Sequence, residues 1–327
     1  MRYDFLAAAQ REGHMHDLNL PDLLNQANEA VTNLPAPVKT GALQVLTRLG
    51  GHIFKRAEKK AERGDKVADA FAAGRAKVID RLAEAAAEKA ASDPELVERA
   101  LDVMLTENLR KQENREAVAS NMADDLKASG EGDGGEIDED WLNVYSEHAA
   151  NASTEKMQAL WGRVAAGEVR KPGSFSLRTL RFLAEVDKPT ADEFESFVKL
   201  GFADIVPRTD EWTKGPAYVL AISLEEAGLI FFDQFMSRTI HLENGVGHLI
   251  GMQFGLETRK EGAESVQLPI MRLSRIGREI KSILPPHDER EGLRRAAELL
   301  KKDGAAVKLG TLRRTGPEIR FFGIEDL

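Results

Sequence analysis

The spacing of the apolar residues changes along this 327-residue chain, and that change limits the folds open to it. As far as Gly228, apolar residues recur at intervals of three and four, which is the period of an amphipathic helix. Three strand-like runs follow, "FFDQFMSRTIHL", "HLIGMQFGLETRK" and "SVQLPIMRL", divided by the turn sequences "ENGVG" and "KEGAE", and a helix returns at "SRIGREIKSIL". We therefore predict an α+β fold, mainly α, in which an N-terminal long-helix bundle region precedes a smaller winged-helix-like α+β module.

Turn sequences and charge divide the chain into six predicted segments. These are a poorly ordered leader at 1–17, a long helical assembly region at 18–130, an acidic linker at 131–140, a helical joint region at 141–205, the winged-helix-like module at 206–286, and a basic helix and hairpin tail at 287–327. The acidic sequence "GEGDGGEIDED" does not have the spacing of an EF-hand calcium loop. We interpret it as a solvated linker.

A stripe of small and apolar residues follows the predicted helices between 42 and 85. Because this stripe is rich in Ala and Gly, it buries less apolar area per turn than the Leu-based seam of a coiled coil. Self-association would supply the missing burial, so we predict a homo-oligomer assembled through these helices. The side chains expected at that interface are Leu46, Leu49, Ile53 and Phe71.

The same region allows a second interpretation, a peripheral membrane effector. Its apolar residues would enter the membrane interface, while the basic residues that follow contact anionic lipid. The apolar set is Leu43, Val45, Leu46, Leu49, Ile53 and Phe54, and the basic set is Lys55, Arg56, Lys59 and Lys60. Arg48 interrupts the apolar face, which favours packing inside a bundle.

Charge is unevenly distributed, although the net value is −9. Residues 39–63 hold seven basic and two acidic side chains, residues 124–140 hold eight acidic and one basic, and residues 290–320 hold nine basic and four acidic. Basic clusters attract phosphate groups. We expect the C-terminal half to bind nucleic acid or a protein partner, with Arg294, Arg295, Arg313 and Arg314 among the contacts.

The stretch "GEVRKPGSFSLRTLRFL" reads mainly as a joint between two helices. A turn at Pro172-Gly173 and a cap at Ser176 account for its composition. Cations in the first turns of a helix are disfavoured by the helix dipole, so some anion is expected near them. That anion is a phosphate, an anionic lipid or a carboxylate of the same chain, and the basic residues concerned are Arg170, Lys171, Arg178 and Arg181.

The sequence contains no recognisable catalytic motif. The absence of Cys excludes thiol nucleophiles, disulfides and zinc-thiolate sites. There is no Gly-x-Ser-x-Gly elbow, Walker loop or His-Glu-x-x-His pair, and the pairs His14/His16 and His241/His248 lack the spacing of a metal site. We expect no cofactor, no metal and no enzymatic activity; the alternative is a hydrolase with an unrecognised carboxylate site.

The N-terminal sequence has no apolar stretch of signal-peptide length. No later run reaches the roughly 18 apolar residues that a membrane-spanning helix needs. Together with the absence of Cys, this composition predicts a cytoplasmic protein.

Several stretches together resemble an uncharacterised bacterial family catalogued as a domain of unknown function. They are "NLPDLLNQANEAVTNLPAPVK", "RKQENREAVASNMADDL", "DEDWLNVYSEHAANASTEKMQALWGRVAAGEVRKPGSFSLRTLRFL" and "LPIMRLSRIGREI", within about residues 18–285. The segments "NLPAPVKTGALQVLTRLGG" and "ALWGRVAAGE", together with the region from "LEEAGLI" to "RLSRIGREI", also resemble abortive-infection proteins of the alpha type. That second resemblance implies a role in phage defence.

Overall fold

The computed structural model describes residues 34–50, 93–315 and 318–326, together with positions 31, 77, 81 and 84. Within it, the chain forms two compact units; the first ends at Leu180 and the second begins at Arg181. Helices dominate the first unit, and antiparallel sheets lie in the second. The predicted class, α+β and mainly α, is confirmed.

The first unit is a helical bundle. Its helices are α1 (Ala36–Gly50), α2 (Pro94–Ala128), α3 (Glu139–Ala150), α4 (Glu155–Arg170) and the start of α5 (Leu177–Glu185). Side-chain caps fix where α2 and α3 begin: Asp93 accepts a hydrogen bond from the N–H of Leu96 at 3.0 Å, and Asp138 accepts one from Trp141 at 2.9 Å. None of the helices in the described residues is long and apolar enough to cross a membrane.

Aromatic side chains form the centre of the first unit. The rings of Trp141 and Tyr145 stack with their centroids 4.8 Å apart, and Trp161 meets Tyr145 edge-on at 5.8 Å. The Tyr145 hydroxyl donates to the carbonyl of Trp161 at 2.9 Å, and Trp141 Nε1 donates to the carbonyl of Phe175 at 2.8 Å. Burial raises the pKa of Tyr145, so its hydroxyl stays protonated and remains a donor.

The backbone of the acidic segment is fixed to the bundle. The N–H of Gly134 donates to the carbonyl of Arg170 at 2.9 Å, and the N–H of Gly135 donates to that of Pro37 at 3.0 Å. The N–H of Ile137, whose side chain is buried, donates to the amide oxygen of Gln44 at 2.8 Å. The segment interpreted as a solvated linker therefore has exposed acidic side chains on a backbone held between α1 and the end of α4.

The second unit combines four helices with two sheets. Its further helices are α6 (Lys188–Val198), α7 (Pro216–Glu226), α8 (Arg275–Lys281) and α9 (Arg290–Lys302), with a 3-10 helix at Asp210–Thr213. Its strands are β1 (Ile205–Pro207), β2 (Ile230–Phe231), β3 (Ser237–His241), β4 (Val246–Ile250), β5 (Phe254–Arg259), β6 (Ser265–Leu273), β7 (Ala306–Thr315) and β8 (Glu318–Asp326).

All strand pairs in these sheets are antiparallel. β6 pairs with β1, β2 and β3, and the other sheet has the order β4-β5-β7-β8. One apolar core joins α9 to this second sheet, with Leu293 and Leu300 of the helix buried in the same cluster as Leu256 of β5 and Leu309 of β7. The predicted tail at 287–327 thus shares its core with strands of the predicted module at 206–286.

Candidate functional site

A buried carboxylate fixes the turn between α4 and α5. Glu168 accepts hydrogen bonds from the N–H groups of Gly173 at 2.6 Å and Phe175 at 3.0 Å. Two such bonds stabilise the charged form of a buried carboxylate. Ser176 accepts a hydrogen bond from the N–H of Thr179 at 3.3 Å, as expected of a helix cap. The stretch "GEVRKPGSFSLRTLRFL" is a joint between two helices, stabilised by hydrogen bonds among its own residues.

Arg170 contacts an internal anion. Its guanidinium binds the Asp125 carboxylate, the Asp125 carbonyl at 2.9 Å and the Ser129 carbonyl, so it closes the C-terminal end of α2. Of the three kinds of anion expected near the basic residues, Arg170 binds a carboxylate of the same chain, that of Asp125. Lys171 and Arg178 in the first unit and Arg181 in the second are exposed, and none forms an ion pair within the described part of the chain.

The basic residues of α9 differ in their surroundings. Arg295 binds Glu291 at 3.0 Å, one turn earlier, and also the carboxylate of Glu211. It therefore attaches the helix to the 3-10 turn of the same unit. Arg294 is exposed on the same helix. Arg294 and Arg295 were both expected to contact a partner. Arg295 forms ion pairs within its own unit instead.

The β7–β8 hairpin presents two arginines and an aromatic ring on one face. Arg313 and Arg320 are directly opposed in the register, and Phe322 lies opposite Thr311, two positions along the strand. Opposed residues of an antiparallel pair, and those two positions away, share a face. The guanidinium carbon of Arg313 lies 5.9 Å from the centroid of the Phe322 ring, and that ring is 47% exposed.

The hairpin also carries the fourth predicted contact of the C-terminal half. Arg314 is on β7, with its backbone paired opposite Ile319 of β8. The sequence placed Arg320 in the same basic tail as Arg313, but sequence inspection missed Phe322 and the direct opposition of the two arginines. The signal that could have identified them is the turn sequence Gly316-Pro317, because a hairpin centred on it would place residue 313 opposite residue 320.

A second aromatic residue fixes the hairpin to the rest of its sheet. The ring of Phe321 covers Gly255 of β5 so closely that a Cβ there would lie 3.0 Å from the ring, and its centroid is 4.9 Å from that of His248. His248 Nε2 lies 3.8 Å from the Glu257 carboxylate. Within the described residues, no group of three His, Asp or Glu side chains could hold a metal ion.

Residues 98–208 match a family described as "Protein of unknown function (DUF2806)". The predicted resemblance to a domain of unknown function is confirmed over this stretch, which begins within α2 and ends just after β1. No curated protein and no solved structure matches the chain. The basic hairpin lies outside the matched residues.

Two of the four residues expected at an oligomer interface pack inside the bundle, and the other two lie outside the described residues. Leu46 and Leu49 are buried in the chain's own bundle, together with Val45, so self-association or membrane contact through them would require the bundle to open. Ile53 and Phe71 lie outside the described residues, as do Phe54 and the basic residues from Lys55 to Lys60. Other large apolar side chains are exposed on the first half of α2, among them Met104 and Leu105.

Proposed function

We propose that this protein is a non-enzymatic interaction protein whose second unit binds single-stranded nucleic acid through the β7–β8 hairpin. The observation that carries the proposal is the placement of Arg313 directly opposite Arg320, with the exposed ring of Phe322 on the same face. Like charges opposed across two strands repel each other. An anion bound at this face is attracted by both.

The chemistry of the cluster favours a single strand over a duplex. Arginine side chains contact backbone phosphates, and an exposed aromatic ring offers a stacking surface to an unpaired base. Bases inside a duplex are already stacked, so they cannot use Phe322 without being unpaired. The paired arginines and the ring together fit a phosphate backbone with unstacked bases.

Charges outside the hairpin do not favour nucleic-acid binding, so phosphate contacts are expected only at the hairpin itself. The net charge of −9 repels a polyanion at long range, and α9 neutralises part of its basic charge with Glu211 and Asp210. Few phosphate contacts are therefore expected, and two of them, at Arg313 and Arg320, would give a slope of log K against log salt of about −1.4 for a single strand.

Binding of a labelled single-stranded oligothymidylate, followed by fluorescence anisotropy, tests the proposal. The parent protein should bind, and its affinity should fall between about 50 and 200 mM salt. Arg313→Glu with Arg320→Glu should abolish binding. Phe322→Ala should weaken it about tenfold, because stacking contributes about 1–3 kcal/mol per base.

Arg272→Glu is the matched control. Arg272 is also exposed, and its guanidinium carbon lies 5.1 Å from the ring centroid of the exposed Phe231, but both belong to the other sheet. This variant makes the same charge change as Arg313→Glu alone, and it should keep the affinity of the parent while Arg313→Glu alone weakens binding. No binding by the parent at low salt, or equal loss in the control, would refute the hairpin as a nucleic-acid site.

We also propose phage defence as the biological setting, and its support is the resemblance to abortive-infection proteins. If binding serves that role, bacteria producing the parent protein should give fewer plaques than bacteria producing the Arg313→Glu, Arg320→Glu variant. Equal plaque numbers across a panel of phages, with both proteins present at equal levels, would exclude this setting for the phages tested.

A further inference from the structure

The exposed ring of the basic hairpin belongs to a row of side chains that crosses three strands. Phe254 of β5 is paired with Thr311 of β7, and Thr311 is paired with Phe322 of β8. Directly paired residues lie on the same face of a sheet, and neighbours along a strand lie on opposite faces. The ring of Phe321 agrees with this arrangement, because it covers Gly255 on the other face. Phe254 and Phe322 therefore flank Thr311 on the face that carries the proposed site.

A second row on this face holds the two arginines of the proposed site. Arg313 is paired with Arg320, two residues further along the hairpin than the first row. The N–H of Leu312 donates to the carbonyl of Gln253 at 2.7 Å, so the pairing of β7 continues beyond the first residue of β5. The same register places residue 252 level with Arg313, and Met252 is 72% exposed. We name the two rows the three-strand surface; its members are Phe254, Thr311, Phe322, Met252, Arg313 and Arg320.

Helix α9 covers the next row of the same face. Leu293 of the helix is buried in one cluster with Leu256 of β5 and Leu309 of β7, which lie two residues beyond the first row. A ligand that follows the strands from Arg313 towards this core would therefore meet α9. A ligand that crosses the strands instead meets both rings of the first row, so the fold favours crossing.

An arginine lies over each ring of the first row. The guanidinium carbon of Arg290, in the first turn of α9, is 5.1 Å from the centroid of Phe254, as that of Arg313 is 5.9 Å from Phe322. Arg290 also pairs with Asp288 at 2.7 Å, which offsets its charge. Bases stack on aromatic rings and on guanidinium planes. We therefore expect Arg290 and Phe254 to offer a stacking surface without a phosphate contact.

We propose that the single strand crosses β8, β7 and β5, with one base at Phe322 and another at Phe254. Two strand spacings separate these residues by about 10 Å. Stacked neighbouring bases are only about 3.4 Å apart. The two bases are therefore not stacked on each other, which fits an unpaired strand and excludes an intact duplex. This inference rests on the proposed function, because it extends the same surface to β5.

The second base site is tested by Phe254→Leu, with the labelled oligothymidylate and fluorescence anisotropy. Leucine keeps an apolar side chain against the core but removes the ring. We expect the affinity to fall about fivefold, at the lower end of the effect of removing a stacking ring. The matched control is Phe235→Leu, the same substitution at a ring that is 91% exposed between β2 and β3. This control should bind as the parent does.

A gain of binding, which misfolding cannot imitate, is expected for Met252→Lys. The lysine adds a third cation to the row of Arg313 and Arg320. The affinity at low salt should rise, and the slope of log K against log salt should become more negative by about 0.7, the contribution of one phosphate contact with a single strand. Val219→Lys is the control, because Val219 is 65% exposed on α7 of the same unit. Its slope should equal that of the parent.

The results separate this inference from the function on which it rests. A parent protein that does not bind refutes both. Binding that requires Arg313 and Arg320 but is unchanged in Phe254→Leu keeps the hairpin site and overturns its extension to β5. An unchanged slope in Met252→Lys, or an equal change in Val219→Lys, also overturns the extension. If Phe254→Leu lowers the melting temperature, Met252→Lys alone decides.

Discussion

Glu289 accepts a hydrogen bond from the backbone N–H of Gln253, at 2.6 Å, across 36 residues of chain. The same carboxylate also accepts from the N–H groups of Met252 and Phe254, both at 2.9 Å. Glu289 directly precedes α9; Met252 and Gln253 lie in the turn between β4 and β5, and Phe254 begins β5. One buried carboxylate therefore links the helix to the sheet that carries the basic hairpin.

We expect Glu289→Ala to destabilise the second unit by about 1–3 kcal/mol, because three N–H groups of the turn lose their acceptor. Thermal unfolding followed by circular dichroism measures the change. Glu298→Ala removes an exposed carboxylate from the same helix and should have little effect. Equal melting temperatures for the parent and Glu289→Ala would contradict a stabilising role for this contact.

Stability should fall as the pH drops below about 6.5, in part through His287. Burial lowers the pKa of this imidazole, and the nearby cation of Lys281 lowers it further. The folded state therefore favours neutral His287, so its contribution is complete above the unfolded pKa of about 6.5 and is lost as the pH falls through the folded pKa.

The measurement for His287 is the melting temperature at pH 7.5 and pH 5.5, in the parent and in His287→Gln. Glutamine does not titrate, so the variant should show a smaller decrease between the two pH values. His241→Gln is the control, because His241 is exposed. An equal decrease in the parent and His287→Gln would rule out this origin of the pH dependence.

Gly162→Ala should destabilise the first unit by about 1–3 kcal/mol, although alanine is the better helix former by about 1 kcal/mol. At Gly162, α4 lies so close to α2 that a Cβ would be 2.5 Å from the Cβ of Asn121 and 2.9 Å from the backbone nitrogen of Met122. Chemical denaturation measures the difference. A stabilised Gly162→Ala variant would show that the two helices can separate at no cost.

Leu46→Asp should unfold the first unit or destabilise it by about 4 kcal/mol or more, because a charged group would replace a side chain with no exposed surface. Leu105→Asp, at an exposed position, should leave the unfolding transition unchanged. Circular dichroism and limited proteolysis distinguish the two. A well-folded Leu46→Asp variant would mean that α1 is dispensable to the bundle.

Local features of the fold were predictable from the sequence. The elements that pack against each apolar face were not. The cap at Ser176 and the final hairpin depend on neighbouring residues, and both occur as expected. Periodicity identifies an apolar face without naming what packs on it. Leu46 was therefore assigned to an oligomer interface, although the chain's own bundle buries it, while exposed Met104 was overlooked.

Long-range pairing was equally inaccessible to pattern reading. The anion expected near Arg170 proved to be Asp125, 45 residues earlier in the chain. Glu168, a carboxylate closer in sequence, accepts backbone N–H groups of the turn instead. Charge counts locate basic clusters, but only the fold separates Arg295, which is paired internally, from the exposed Arg313.

The position of β7 between β5 and β8 also governs the order in which the second unit can be assembled during synthesis. A ribosome completes β4 and β5 before it makes α9 and β7, so the nascent chain carries β5 with one edge unpaired until β7 emerges. An open edge of this kind can pair with other chains. A pause in translation between residues 260 and 305 would therefore prolong the time for which this edge of β5 is open.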